Sequence, residues 1–109
     1  MPWKLRCTVA GVGSGDPFVG LLLGPGFDAL KAGLEEAHDK PMATEGQGGS
    51  IPLCQVFQDT FPDAEIVLYG VEEPKCLIHA PNQSVAPSET EHLALAEASF
   101  LQKYGASGR

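Results

Sequence analysis

The stretch Glu65-Ile66-Val67-Leu68-Tyr69-Gly70-Val71 decides the fold class that this 109-residue sequence predicts. It is apolar and rich in β-branched or aromatic residues nearly throughout, which is typical of a β-strand covered on both faces by helices. Helical patterns precede and follow it in the sequence. We therefore expect an α/β fold, with a partial sheet flanked by helices.

Two helices are expected before this strand. Apolar side chains recur every three or four residues over 27–38, and Pro41 prevents a longer helix. The second helix is expected to have Ser50 as its N-cap and Pro52 in its first turn, and to end before Pro62. Each has one apolar face, as in a helix that packs on a core.

A loop and a third helix are expected after the strand. Residues 72–87 contain three prolines and no sustained periodicity, which predicts a loop. Ser88 and Glu91 have the spacing of a capping box, and the apolar residues beyond them share one side of a helix up to Gly105. The order of helix, strand and helix supports the α/β class.

The N-terminal residues predict a further strand. Residues 3–9 alternate between apolar and polar side chains, and residues 11–16, rich in Gly and Ser, form a flexible connection. Both predicted strands need neighbours that the chain does not supply. We therefore expect a homo-oligomer, formed by strand pairing or by exchange of the N-terminal segment.

Composition limits the partners and the compartment. The net charge of -7 and the pI near 4.7 disfavour nucleic acid and anionic membrane surfaces as partners. No apolar run approaches the roughly 18 residues of a membrane span, and the N-terminus lacks the layout of a secretion signal. The three cysteines, Cys7, Cys54 and Cys76, are far apart and in apolar surroundings, which favours buried thiols. The expected compartment is the cytoplasm.

Two short blocks could carry chemistry. Gly48-Gly49-Ser50 precedes a predicted helix, where free N–H groups and a hydroxyl suit a carboxylate or an oxyanion. His79 lies in the turn His79-Ala80-Pro81-Asn82-Gln83-Ser84, beyond the end of the predicted strand, where α/β proteins place ligands. Taken alone, the first block favours a plain turn and cap, and a lone histidine favours a structural role.

In their sequence and order, these two blocks resemble a family of di-zinc metallopeptidases. The family comprises carnosinases, aminoacylases, acetylornithine deacetylase and succinyl-diaminopimelate desuccinylase. It has a Gly-Gly-Ser-Ile-Pro block in the substrate pocket and a later His-x-x-Asn-Glu block that supplies the last metal ligand. The resemblance implies that residues 14–109 are the C-terminal portion of the catalytic domain. It also implies that residues 1–13 are a strand at the end of the lid, or dimerisation, domain.

The resemblance implies roles for four residues. His79 would bind one of two zinc ions, and Gly48, Gly49 and Ser50 would contact a small peptide or N-acyl amino acid substrate. Two departures from the family pattern affect these roles. Gln83 stands where the family usually has Glu, and an Arg often found just before the glycine block is replaced by Glu45-Gly46-Gln47.

The remaining ligands of such a site are missing from the sequence. The family's His-x-Asp-x-x-Pro motif has no counterpart, and the pairs Glu35-Glu36 and Glu72-Glu73 are interpreted as solvated charge. No catalytic residue is assigned, and the other two histidines, His38 and His92, are expected to be exposed and structural. The prediction is a C-terminal fragment of a metallopeptidase that is inactive alone and does not retain zinc. The alternative is a non-catalytic truncated paralogue or an interaction module.

Overall fold

The structure is a computed structural model, and it describes residues 6, 8, 10, 11, 17–46 and 51–107. Within these residues it contains three helices: α1, Pro25–His38; α2, Pro52–Thr60; and α3, Pro87–Ser107. All three helices were predicted from the sequence, with small differences at their ends. None of the described helices is long and apolar enough to cross a membrane.

The predicted α/β fold, with its partial sheet flanked by helices, is wrong for the described residues. Residues 65–71 have no regular secondary structure and form no β-ladder, and Leu68 and Tyr69 are 54% and 44% exposed rather than covered. A strand requires a second strand to share its backbone hydrogen bonds, and the described residues supply none.

The predicted N-terminal strand falls largely outside the described residues. Of residues 3–9, only Arg6 and Thr8 are described, and neither is in a strand. The assignment of residues 1–13 to a lid domain and of residues 14–109 to a catalytic domain therefore stays a prediction.

The N-terminus of α1 is capped from a distant part of the chain. Gly24, at the N-cap, makes no side-chain cap, and the backbone N–H groups of Gly26 and Phe27 donate to the carboxylate of Glu65 at 2.9 and 2.6 Å. A Cβ on Gly24, whose φ is 128°, would lie 2.5 Å from the Glu65 carboxyl carbon. Glycine here makes room for the carboxylate, and Glu65 connects residues 65–71 to α1.

The core lies where α1 crosses α3. Ala96 of α3 is fully buried, and a Cβ on Gly33 of α1 would lie only 2.6 Å from its carbonyl oxygen. The backbones of the two helices therefore meet directly. Three further residues of α1 are buried: Phe27, Ala29 and Leu30.

The start of α3 differs from the predicted capping box. The helix begins at Pro87, and the carbonyl of Ala86 accepts hydrogen bonds from the N–H groups of Glu89 and Thr90 at 3.0 and 3.4 Å. Ser88 is thus inside the first turn rather than at the N-cap, because proline already fits the first helical position. At the other end, α3 continues past Gly105 to Ser107.

Helix α2 begins at Pro52, as predicted, but its apolar face is uncovered. Its N-cap is Ile51, which makes no side-chain cap, and Ser50 lies outside the described residues, so its capping role is untested. Leu53 and Phe57 are 56% and 45% exposed. The face that the sequence pattern assigned to a core is available for contact with another surface.

The described residues leave many large apolar side chains exposed. The chain's radius of gyration is 18.2 Å, against about 13 Å for a compact domain of this length. Its accessible surface is 9099 Å², whereas a compact protein of this mass exposes about 5,800 Å².

Candidate functional site

His79 lies in a turn that its own backbone closes. The N–H of Ser84 donates to the carbonyl of Cys76 at 2.9 Å, which joins the two ends of the turn. Inside it, the N–H of Ala80 donates to the carbonyl of Leu77 at 2.9 Å. These bonds hold residues 76–84 in one defined shape.

The backbone of this turn is strained. Leu77, His79 and Asn82 have φ angles of 54°, 60° and 65°, in the left-handed region. Asn and His adopt this region more often than most residues, whereas leucine does so rarely. Such conformations cost about 1–3 kcal/mol each and cluster at binding and active sites.

The side chain of Gln83 supports the turn. Its Oε1 accepts a hydrogen bond from the backbone N–H of His79 at 3.3 Å. A glutamate at this position would offer the same kind of acceptor. Gln83 therefore provides the acceptor that a glutamate at this position would also provide for the His79 backbone.

A single histidine such as His79 offers one ligand atom to a metal ion. Its side chain is exposed, and it is not grouped with two further His, Cys, Asp or Glu donors in the part of the chain that the structure describes. Catalytic zinc takes about three protein ligands. The described residues thus do not complete a zinc site at His79.

An acidic depression lies against the His79 turn. It has a volume of about 660 Å³, and Leu77, Ile78 and Ala80 from the turn form part of its wall. Glu72 and Glu73, interpreted from the sequence as solvated charge, also line it. The remaining lining residues are Glu45, Pro74 and Cys76. Its carboxylates favour a positively charged ligand group over an anionic one.

The predicted substrate-binding residues lie outside the described residues. Gly48, Gly49 and Ser50 belong to the gap between residues 46 and 51. Their role in binding a substrate carboxylate therefore stays a prediction.

Sequence reasoning missed a cluster formed by His38, Glu89 and His92. Nε2 of His38 lies 3.5 Å from Oε2 of Glu89, and Nδ1 of His92 lies 3.7 Å from Oε1 of Glu89. The two imidazole rings are 4.9 Å apart between centroids and inclined by 52°. Both histidines are partly buried, so the prediction that they are exposed is wrong. The i, i+3 spacing of Glu89 and His92 on a helix was the signal that could have indicated the pair.

Two further side chains form specific contacts with α3. Glu36, interpreted as solvated charge, accepts hydrogen bonds from Lys103 at 2.6 Å and Ser99 at 2.9 Å, and these bonds lower its pKa. The hydroxyl of Tyr69 donates to Oε1 of Glu97 at 3.0 Å. Partial burial, and then this hydrogen bond, raise the pKa of Tyr69. Residues 65–71 are thus attached to α3, through Tyr69, as well as to α1, through Glu65.

The two described cysteines match the sequence prediction. Cys54 and Cys76 are both buried and carry free thiols. Cys7 lies outside the described residues.

Comparison with known proteins relates this chain to a peptidase. It is 42% identical over 105 residues to a cysteinylglycine-S-conjugate dipeptidase of Corynebacterium striatum. The match covers 95% of this chain and 23% of the dipeptidase, so the chain spans about a quarter of the length of that relative. No family model and no solved structure matches the chain. The chain is therefore similar to a segment of a dipeptidase.

Proposed function

We propose that this chain is a segment of a zinc-dependent metallopeptidase that hydrolyses dipeptides. The observation that carries the proposal is the 42% identity to a dipeptidase over 95% of the chain. In this proposal His79 is one metal ligand, and Gly48, Gly49 and Ser50 contact the substrate. We propose dipeptides rather than N-acyl amino acids as substrates, because the relative is a dipeptidase.

The conformation of the His79 turn supports a role in binding. The left-handed φ angles at Leu77 and His79 cost free energy, and conformations of this kind cluster at binding and active sites. The exposure of His79 leaves its ring accessible to ligands from another part of the protein. The neighbouring acidic depression is suited to a positively charged group, such as the free amino group of a peptide.

The uncovered apolar surface supports the proposal that the chain works as part of a larger body. The apolar face of α2 and the large accessible surface call for a covering layer. Further residues of a dipeptidase would cover this apolar face. A second copy of the chain, in a homo-oligomer, is the alternative. The buried free thiols of Cys54 and Cys76 favour a reducing compartment, and we propose the cytoplasm.

A chimaera tests the proposed function directly. In the Corynebacterium striatum dipeptidase, the segment aligned with this chain is replaced by the chain itself. We expect the chimaera to hydrolyse dipeptides in the presence of zinc, and a chelator to abolish the hydrolysis. The dipeptidase with the segment deleted is the inactive control. A chimaera that folds with normal helix content but hydrolyses nothing would favour a non-catalytic paralogue or interaction module.

Variants of the chimaera test the individual residues. We expect His79→Ala to abolish activity, because it removes a metal ligand. Ser50→Ala should mainly weaken substrate binding, by about 0.5–1.5 kcal/mol for one neutral hydrogen bond. Lys75→Ala, an exposed change next to the turn, is the matched control. Equal activity of the His79→Ala and Lys75→Ala variants would contradict the ligand assignment.

A further inference from the structure

We propose that His38, Glu89 and His92 form a binding site for a divalent transition-metal ion, and that this ion is zinc. The site does not include His79, so it goes beyond the proposed function. His38 is the last residue of α1, and Glu89 and His92 lie at the start of α3. A bound ion would therefore fasten the end of one helix to the beginning of the other.

The hydrogen bonding of His38 leaves a lone pair directed at Glu89. Nδ1 of His38 lies 3.0 Å from the carbonyl oxygen of Leu34, and because a carbonyl only accepts, Nδ1 carries the proton. In the neutral ring Nε2 then has a free lone pair, and it lies 3.5 Å from a carboxylate oxygen of Glu89. In this neutral form two acceptors face each other, and either a proton or a metal ion between them would remove the repulsion.

This arrangement is the one that metal-binding histidines usually adopt. A ligating histidine commonly donates its second ring N–H to a backbone carbonyl, which fixes the tautomer and orients the ring. The contact between His38 and Leu34 provides this support. The bond lies within α1, so the support for the ring orientation does not require a contact with α3.

His92 adds a second nitrogen that lacks a hydrogen bond. Its Nδ1 is shielded from solvent and has no hydrogen-bond partner in the structure, and it lies 3.7 Å from the other oxygen of Glu89. Leaving such an atom unpaired costs free energy. A metal ion shared with Glu89 would satisfy it.

The donor atoms are slightly farther apart than they would be around a bound ion. Two atoms bound at about 2.0–2.2 Å from tetrahedral zinc lie about 3.3–3.6 Å apart. The two nitrogen-to-oxygen distances, 3.5 and 3.7 Å, end on different oxygens of Glu89, and one donor atom from each of the three side chains lies within 4.8 Å of the others. Zinc binding would therefore draw the three side chains closer together. Three protein ligands leave one position for water. Two imidazoles favour zinc or cobalt over magnesium, which prefers oxygen ligands.

Titration of the 109-residue chain with zinc tests the site. We expect binding of one zinc ion per chain, observed by calorimetry. In NMR spectra the imidazole signals of His38 and His92 should shift in step with the bound fraction, while those of His79 stay in place. Magnesium should produce neither effect. These measurements on the unaltered chain do not depend on any variant being folded.

Variants then identify the ligands. His38→Ala, His92→Ala and the isosteric Glu89→Gln should each weaken zinc binding by about tenfold or more. The matched control is Glu91→Gln, which changes an exposed carboxylate on the same helix and should leave zinc binding unchanged. Circular dichroism of each variant verifies the helices. The proposal is overturned if the chain does not bind zinc, if His79→Ala abolishes binding, or if the signals of His38 and His92 respond to acid but not to zinc.

Discussion

Gly33 of α1 lies against Ala96 of α3 so closely that a Cβ on Gly33 would come within 2.6 Å of the Ala96 carbonyl oxygen. The N–H of Phe100 would also be only 3.2 Å from that Cβ. Both nearby atoms belong to the backbone, which cannot move aside as a flexible side chain can. The crossing point of the two helices is therefore set by the absence of a side chain at position 33.

The variant Gly33→Ala should lower the free energy of unfolding by about 1–3 kcal/mol, because the added methyl group overpacks the crossing. This loss should exceed the gain of about 1 kcal/mol that alanine normally gives over glycine in a helix. Denaturant unfolding followed by circular dichroism measures the difference. Gly105→Ala in α3 is the matched control, since a Cβ there meets nothing within 4 Å, and it should stabilise. Stabilisation by both variants would contradict the close crossing.

The variant Glu65→Ala should lower the free energy of unfolding by about 0.5–2 kcal/mol, the usual contribution of a helix cap. It removes the carboxylate that accepts the N–H groups of Gly26 and Phe27. Asp63→Ala, which removes a charge two residues away, should have little effect. Amide hydrogen exchange provides a second measurement, in which the first turn of α1 should lose protection. Equal stability of the two variants would show that Glu65 does not cap α1.

The stability of the chain should depend on the ionisation of Glu36. Hydrogen bonds from Lys103 and Ser99 lower its pKa below the ordinary value of 4.5. A carboxyl group with a lowered pKa in the folded state stabilises that state above pH 4.5, and this stabilisation is lost as the pH falls through the folded-state pKa. Thermal unfolding between neutral and acidic pH should show a smaller loss below pH 4.5 for Glu36→Gln than for the unaltered chain. Parallel curves would contradict this contribution.

The isolated chain should self-associate through its uncovered apolar face. Leu53 and Phe57 of α2 are both half-exposed, and contact with a second copy would remove them from water. Sedimentation velocity at micromolar concentration should detect a species larger than a monomer. Leu53→Gln combined with Phe57→Gln should shift the equilibrium towards the monomer, whereas Lys75→Ala should not. A compact monomer of the unaltered chain would refute the prediction.

The helices could be predicted from the sequence because their signals are local. The apolar period of residues 27–38 and the proline at position 52 give the positions of α1 and α2 without knowledge of any distant contact. The sheet could not be established in this way. Residues 65–71 have the composition of a strand, but a strand depends on a partner, and composition does not reveal whether one is present.

The long-range contacts of the candidate sites could not be predicted from the sequence either. The cap of α1 by Glu65 joins residues 39 positions apart at Gly26, and no short motif encodes it. His38 and Glu89 come together only because α1 crosses α3. The left-handed backbone at Leu77 also escaped prediction, because leucine rarely adopts that region. Asn82 and His79 are of residue types that adopt it more often.

The packing of α1 on α3 has a consequence for the His79 turn. The turn follows residues 65–71, which are attached to α1 through Glu65 and to α3 through Tyr69. The entropy of ordering this stretch of chain is therefore offset at both helices as well as within the turn. Separation of the two helices would remove this support, so that the stretch and the turn would open together. In the proposed dipeptidase, substitutions at the crossing would then lower activity without altering any group that contacts substrate.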